Sequence, residues 1–136
     1  MAGLSIFDIS GRAMSAQLVR MNATASNLAN AGSVAGSANE AYRARKPVFA
    51  TAFDEAAGPE RATVDAVDVV TSGAEPTKRY EPGHPLADKE GYIYEAAVDE
   101  TAEMVELLEA SRQYQNNVEV LQTAKQLMLG TLKLGQ

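Results

Sequence analysis

Cysteine and tryptophan are absent from this 136-residue chain, and histidine occurs once, at His84. Without cysteine there is no disulfide, thiol nucleophile, iron–sulfur cluster or thiolate-held zinc. A single histidine rules out a two-histidine metal site. Aromatic residues make up only 6%, so a bulky aromatic core is not expected. Cations are outnumbered, 12 Lys and Arg against 18 Asp and Glu, for a net charge of -6. Neutralising phosphates needs clustered cations, so no nucleic-acid partner is expected. No apolar run approaches the ~20 residues of a membrane span. The opening MAGLSIFDIS lacks the basic start and sustained apolar stretch of a cleavable signal. Any route out of the cytoplasm is therefore expected to run without one.

What is present is a chain that is 46% hydrophobic, enough for one modest domain. Its ends are helical in pattern. Phe7, Gly11, Met14, Leu18, Met21, Ala25 and Leu28 step by four and three, the a/d seam of a helix lying lengthwise on another. Ser5 and Asp8 form a capping-box start, and Asn30 with Gly32 predicts a left-handed stop. From residue 98 to 134 the pattern recurs through Met104, Leu107, Ser111, Tyr114, Val118, Leu121, Lys125, Met128 and Leu132. Val120, Ala124, Leu127, Thr131 and Leu134 add a second stripe, so the apolar surface widens toward the C-terminus. Asp99 is the expected N-cap. Early glutamates and late lysines complement the helix dipole. Gly130 is expected to weaken the last turns.

The segment between them reads differently. Residues 32 to 41 are small and loop-like. Tyr42 to Phe53, with Pro47, reads as an edge strand, and residues 61 to 72 as a second strand. Residues 76 to 92 hold three prolines and two glycines, so turns are expected to dominate. Tyr92 to Tyr94 reads as a last short strand. The expected fold is mainly α with a small β part. Terminal helices at 1–31 and 98–136 pack as a coiled-coil-like hairpin around a middle segment, 32–97, of short strands and turns.

Charge follows the same division. Residues 1–39 carry a net +1, residues 40–96 a net -4 and residues 97–136 a net -3. The first helix is thus nearly neutral, and Ile6, Ile9, Ala13, Ala16 and Ala23 stand behind its main seam. A helix apolar or neutral all round expects burial on several sides. One partner helix cannot supply that, so other chains are expected to complete it. The seam expected to carry assembly comprises Phe7, Met14, Leu18, Met21, Leu28, Met104, Leu107, Tyr114, Val118, Leu121, Met128 and Leu132.

Chemistry candidates are few. His84 stands in Glu81-Pro82-Gly83-His84-Pro85, a turn sequence in which Gly83 suits the positive-φ position of a type II turn. Asp88 and Glu90 lie nearby, but one histidine and two carboxylates make a poor metal set. No nucleophile elbow, phosphate loop or dinucleotide fingerprint occurs. No catalytic residue, metal or cofactor is expected. Arg43, Arg45 and Lys46 form a basic cluster, by default a solvated strand face. The sharper reading is docking onto an acidic surface of a neighbouring copy, such as one presenting Glu103 and Glu106. Asn27, Asn30 and Asn117 join Arg43, Arg45 and Lys46 as expected inter-subunit polar contacts.

The residues also carry a family resemblance. Ser5-Ile6-Phe7-Asp8-Ile9-Ser10-Gly11 and Ala25-Ser26-Asn27-Leu28-Ala29-Asn30-Ala31 resemble the N-terminal signature of bacterial flagellar axial proteins. Tyr80-Glu81-Pro82-Gly83-His84-Pro85-Leu86-Ala87-Asp88, followed by Gly91-Tyr92, is similar to the basal-body rod proteins of the proximal type. So is the ending Leu132-Lys133-Leu134-Gly135-Gln136. Residues 54 to 79 carry no such motif, and Ala31-Gly32-Ser33-Val34 and Gly130 depart from the pattern. The resemblance implies a structural, non-catalytic subunit of the periplasmic rod, exported by the flagellar export apparatus. Its implied neighbours are copies of itself, other rod subunits and the membrane-embedded ring at the rod base. The competing readings are a soluble coiled-coil dimeric adaptor and, far behind, an enzyme built on His84 and Asp88.

Overall fold

The computed structural model describes residues 5–53 and 62–135. Helix α1 spans Ile6–Asn30. The Ser5 hydroxyl accepts the Asp8 N–H at 3.2 Å, and the Asp8 carboxylate accepts the Ser5 N–H at 3.0 Å. That reciprocal pair is the predicted capping box. Helix α2 spans Glu100–Leu134, and the Asp99 carboxylate accepts the Ala102 N–H at 3.1 Å as its N-cap. At 1.5 Å per residue the helices are about 37 and 52 Å long.

Between them run β1 (Val34–Ala35), β2 (Arg45–Phe53), β3 (Ala62–Thr71), β4 (Thr77–Tyr80) and β5 (Tyr92–Glu95). Strands β2 and β3 form an antiparallel hairpin. Strands β1, β5 and β4 form a small antiparallel sheet in that order. Residues 32–41 and 76–92 are therefore more regular than their composition predicts. β1 and β4 each borrow an edge of β5, a pairing that local propensity does not encode.

The two helices lie side by side and antiparallel. Asn27 meets Glu103, Arg20 meets Glu106, and Gln17 meets Gln113, so residue numbers fall on one helix as they rise on the other. The hairpin packs on another side of α1. Arg12 donates to the Thr63 hydroxyl at 3.3 Å and to Asp65 at 3.2 Å. Part of the surface of α1 expected to face other chains is thus covered by the chain itself. The core is small-residue in character: Ala16, Ala23, Ala41, Ala44, Ala110, Ala124 and Ile93.

Two expectations about glycine are corrected. Helix α1 ends at Ala31 in the right-handed region, with no left-handed stop at Gly32. Gly83 does not take a positive φ either; the turn there closes by the His84 N–H donating to the Glu81 carbonyl at 3.0 Å. Helix α2 runs unbroken through Gly130, where an added Cβ would meet nothing within 4 Å. Among the described residues the positive φ falls at Gly91, at 84°. A Cβ there would lie 2.9 Å from the Tyr80 ring and 3.0 Å from the Pro82 Cβ. Asp88 organises the same loop, its carboxylate accepting the N–H groups of Glu90 and Tyr92, each at 2.9 Å.

Gly91→Ala combines a left-handed backbone with this clash, and is expected to cost about 1–3 kcal/mol. Thermal unfolding of the variant measures it, with the loss confined to the β4–β5 loop by amide exchange. A second expectation concerns acid. Backbone donation from Ser5, then its hydroxyl, holds the Asp8 carboxyl below the usual carboxylate range. The Tyr92 N–H does the same for Asp88. A depressed folded pKa stabilises above the unfolded value and is lost as pH falls through the folded one. Stability is therefore expected to fall below about pH 4, and less steeply in Asp88→Asn, as read by denaturant titration at stepped pH.

Candidate assembly interface

The centre of the polar geometry is Asn27, whose side chain is fully buried. Its Nδ2 donates to the Arg45 carbonyl and to Glu103 Oε2, each at 2.9 Å. Its Oδ1 accepts the Arg45 N–H at 2.7 Å and the Tyr42 hydroxyl at 2.9 Å. Two donors and two acceptor sites exhaust what a carboxamide can offer. Glu103 is buried too, and its other oxygen accepts from Lys46 Nζ at 2.6 Å. One cluster thus ties α1, β2 and α2 together.

Part of the polar set makes its contacts within the one chain. Asn27 is spent inside its own chain. Glu103 is answered by Lys46, and Glu106 by Arg20 at 2.8 Å, both from the same chain. These acidic groups are met internally because β2 folds back onto the start of α2 and α1 lies alongside it. Asn30 and Asn117 donate to carbonyls one helical turn earlier, those of Ser26 and Gln113. Arg43 is half-buried and makes a backbone bridge to Ala97, while the Arg45 side chain is exposed.

The apolar seam divides. Phe7, Met14, Met21, Leu28, Leu107, Tyr114, Val118 and Leu121 are half-buried. Leu18, Met104, Met128 and Leu132 are exposed. The deeply buried positions are instead Ser10, Ala16, Ala23, Thr24 and Asn27 on α1 and Glu103, Ala110 and Ala124 on α2. Sequence periodicity ranks positions by hydrophobicity. The structure ranks them by how closely two backbones approach, and there Ala and Ser fit while Met and Leu flank. The signal for this was the stripe of small residues at Ala16 and Ala23, seven apart.

At the opposite end of the helix pair lies an open groove of about 610 Å³, lined by Ile6, Val120, Thr123, Ala124, Leu127 and Met128 among others. Ile6, at the start of α1, lies beside Leu127 and Met128, so the last turns of α2 run past it. There Leu127 and Leu132 are each 68% exposed and Leu134 is 89% exposed. No described helix is long and apolar enough to cross a membrane.

His84 is a turn residue, as expected, its Nδ1 accepting the Leu86 N–H at 3.1 Å. Among the described residues no cluster of three potential metal ligands occurs.

Asn27→Ala leaves a buried carboxylate and the Arg45 amide short of partners. A loss of about 3 kcal/mol is expected, or roughly 10 °C in Tm. Asn27→Asp sets a second carboxylate beside Glu103 and is expected to cost at least as much near pH 7. Denaturant melts of both variants check this.

Two family models match the chain. One, described as Flagella basal body rod protein, covers residues 7–36, and one, described as Flagellar basal body rod FlgEFG protein C-terminal, covers residues 89–134. The chain is 51% identical over 136 residues to the flagellar basal-body rod protein FlgC of Escherichia coli O6:H1, and 50% identical over 136 residues to that of Salmonella typhimurium. It is 38% identical over 141 aligned residues to that of Buchnera aphidicola subsp. Schizaphis graminum. In each case 100% of both chains is covered. The two matched segments take in α1 from Phe7 onward and all of α2, and with identity of this order along the whole length the chain belongs to the flagellar basal-body rod proteins of the FlgC type.

Proposed function

We propose that this chain is a structural subunit of the flagellar basal-body rod, joined to copies of itself and to other rod subunits through its two terminal helices. The observation that carries this reading is the uncovered end of α2. Leu127, Met128, Leu132 and Leu134 stand exposed beyond the start of α1, beside the groove floored by Ala124 and Val120. Apolar surface of that extent on an isolated subunit is stabilised when a neighbour removes it from water. The subunit is a mechanical part and not an enzyme.

The helix pair, read as 1–31 and 98–136, is the assembly unit, with coiled-coil-like packing between and across subunits. The middle, 32–97, lies outside it. Leu18 and Met104, exposed within one chain, extend the inter-subunit surface along the pair. The Arg43 and Arg45 side chains are available to a rod neighbour or to the membrane-embedded ring at the rod base. The working site is the periplasmic rod, reached through the flagellar export apparatus.

Met128→Asp and Leu132→Asp place a charge on exposed positions, so the monomer is expected to keep its helical content and melting temperature. Rod assembly and swimming are expected to be lost, as scored by basal-body preparations and soft-agar motility. Normal motility in both variants would overturn the reading. A discrete dimer of the parent chain that never extends would favour a coiled-coil adaptor.

A further inference from the structure

The β2–β3 hairpin exposes much of its apolar content, including Val48, Phe49 and Phe53 on β2 and Val64, Val67, Val69 and Val70 on β3. It is two-stranded, so each strand has an edge unpaired within its sheet. A long β-branched edge of this kind is a template for a strand of another copy. The direction of its amides can be read from the ladder. Both the N–H and the C=O of Arg45 go to Asn27 and not to β3. In an antiparallel pair, residues whose amides face the partner alternate with residues whose amides face away. Arg45 and Pro47 therefore face outward on β2, and their partners Thr71 and Val69 face outward on β3.

Each outer edge is closed by a different device. On β2 the Asn27 carboxamide makes the two bonds an incoming strand would make with Arg45, and Pro47, the next outward position, has no N–H to offer. On β3 the outward Val69 N–H is donated to the carboxylate of Asp68 at 2.7 Å. The register shifts at Val48/Phe49, pairing Val48 with Asp68 and Phe49 with Ala66, so Val67 is left without a partner. A bulge of this kind bends and twists an edge.

We propose that Asp68, with the Val67 bulge, is an edge guard that keeps β3 from pairing with strands of other copies. The chain then associates through other surfaces. Identifying those surfaces as the helices rests on the rod reading; the guard does not.

The test uses the full-length chain as purified monomer. Asp68→Thr and the isosteric Asp68→Asn are expected to keep the far-ultraviolet circular dichroism and melting temperature of the parent. Both are expected to give thioflavin-T-positive, sedimenting material at a protein concentration about five- to tenfold lower than the parent, the scale of one cross-strand contact. Adding Val67→Lys, which returns a charge to the edge, is expected to restore the parent threshold. Folded variants that both match the parent threshold overturn the proposal, whatever motility shows. Normal motility in both helix variants above, with the expected edge response, would reject the rod reading alone.

Discussion

One carboxamide does the work of a strand edge, a helix contact and a charge partner. Asn27 satisfies both backbone groups of Arg45, a Tyr42 hydroxyl and the buried Glu103 carboxylate. Three elements distant in sequence are placed by that one side chain. Removing water from Glu103 is tolerable only because Asn27 and Lys46 replace it. Once α2 is anchored there, Arg20–Glu106 and Gln17–Gln113 follow down the helix pair.

Anchoring at one end leaves the other to apolar contact. Between the start of α1 and Gln17, among the described residues, the side-chain polar contacts to other elements go to the hairpin, through Arg12. The groove beside Ile6 and the exposed leucines at the end of α2 are the consequence. The subunit is tightly specified where its elements meet and leaves apolar surface uncovered at the end of α2. The same logic governs the hairpin, whose apolar strands are kept from pairing by Asn27, Pro47 and Asp68 and not by burial.

The helices were legible because their signals are local. Ser5, Asp8 and Asp99 name the caps, and three- and four-residue spacing names the faces. The hairpin strands were legible for the same reason, from valine, threonine and a proline. β1 and β4 were not, since two and four unremarkable residues become strands only beside β5. Gly83, set after a proline, looked like the left-handed position, yet Gly91 holds it because Tyr80 and Pro82 crowd that backbone in space.

The assignment of the polar residues shows the same boundary. From sequence, Asn27, Lys46 and Glu103 are a plausible set of contacts between copies, because complementary charge carries no information about which chain supplies it. Length, cap residues, apolar spacing, the absence of cysteine and the family were determined by the sequence itself. Which stripe is buried, which carboxylate is answered internally and which leucines remain uncovered were decided only by the tertiary structure. Those outcomes depend on backbone approach distance and on contacts between residues 50 to 100 positions apart, and neither is written in any local window.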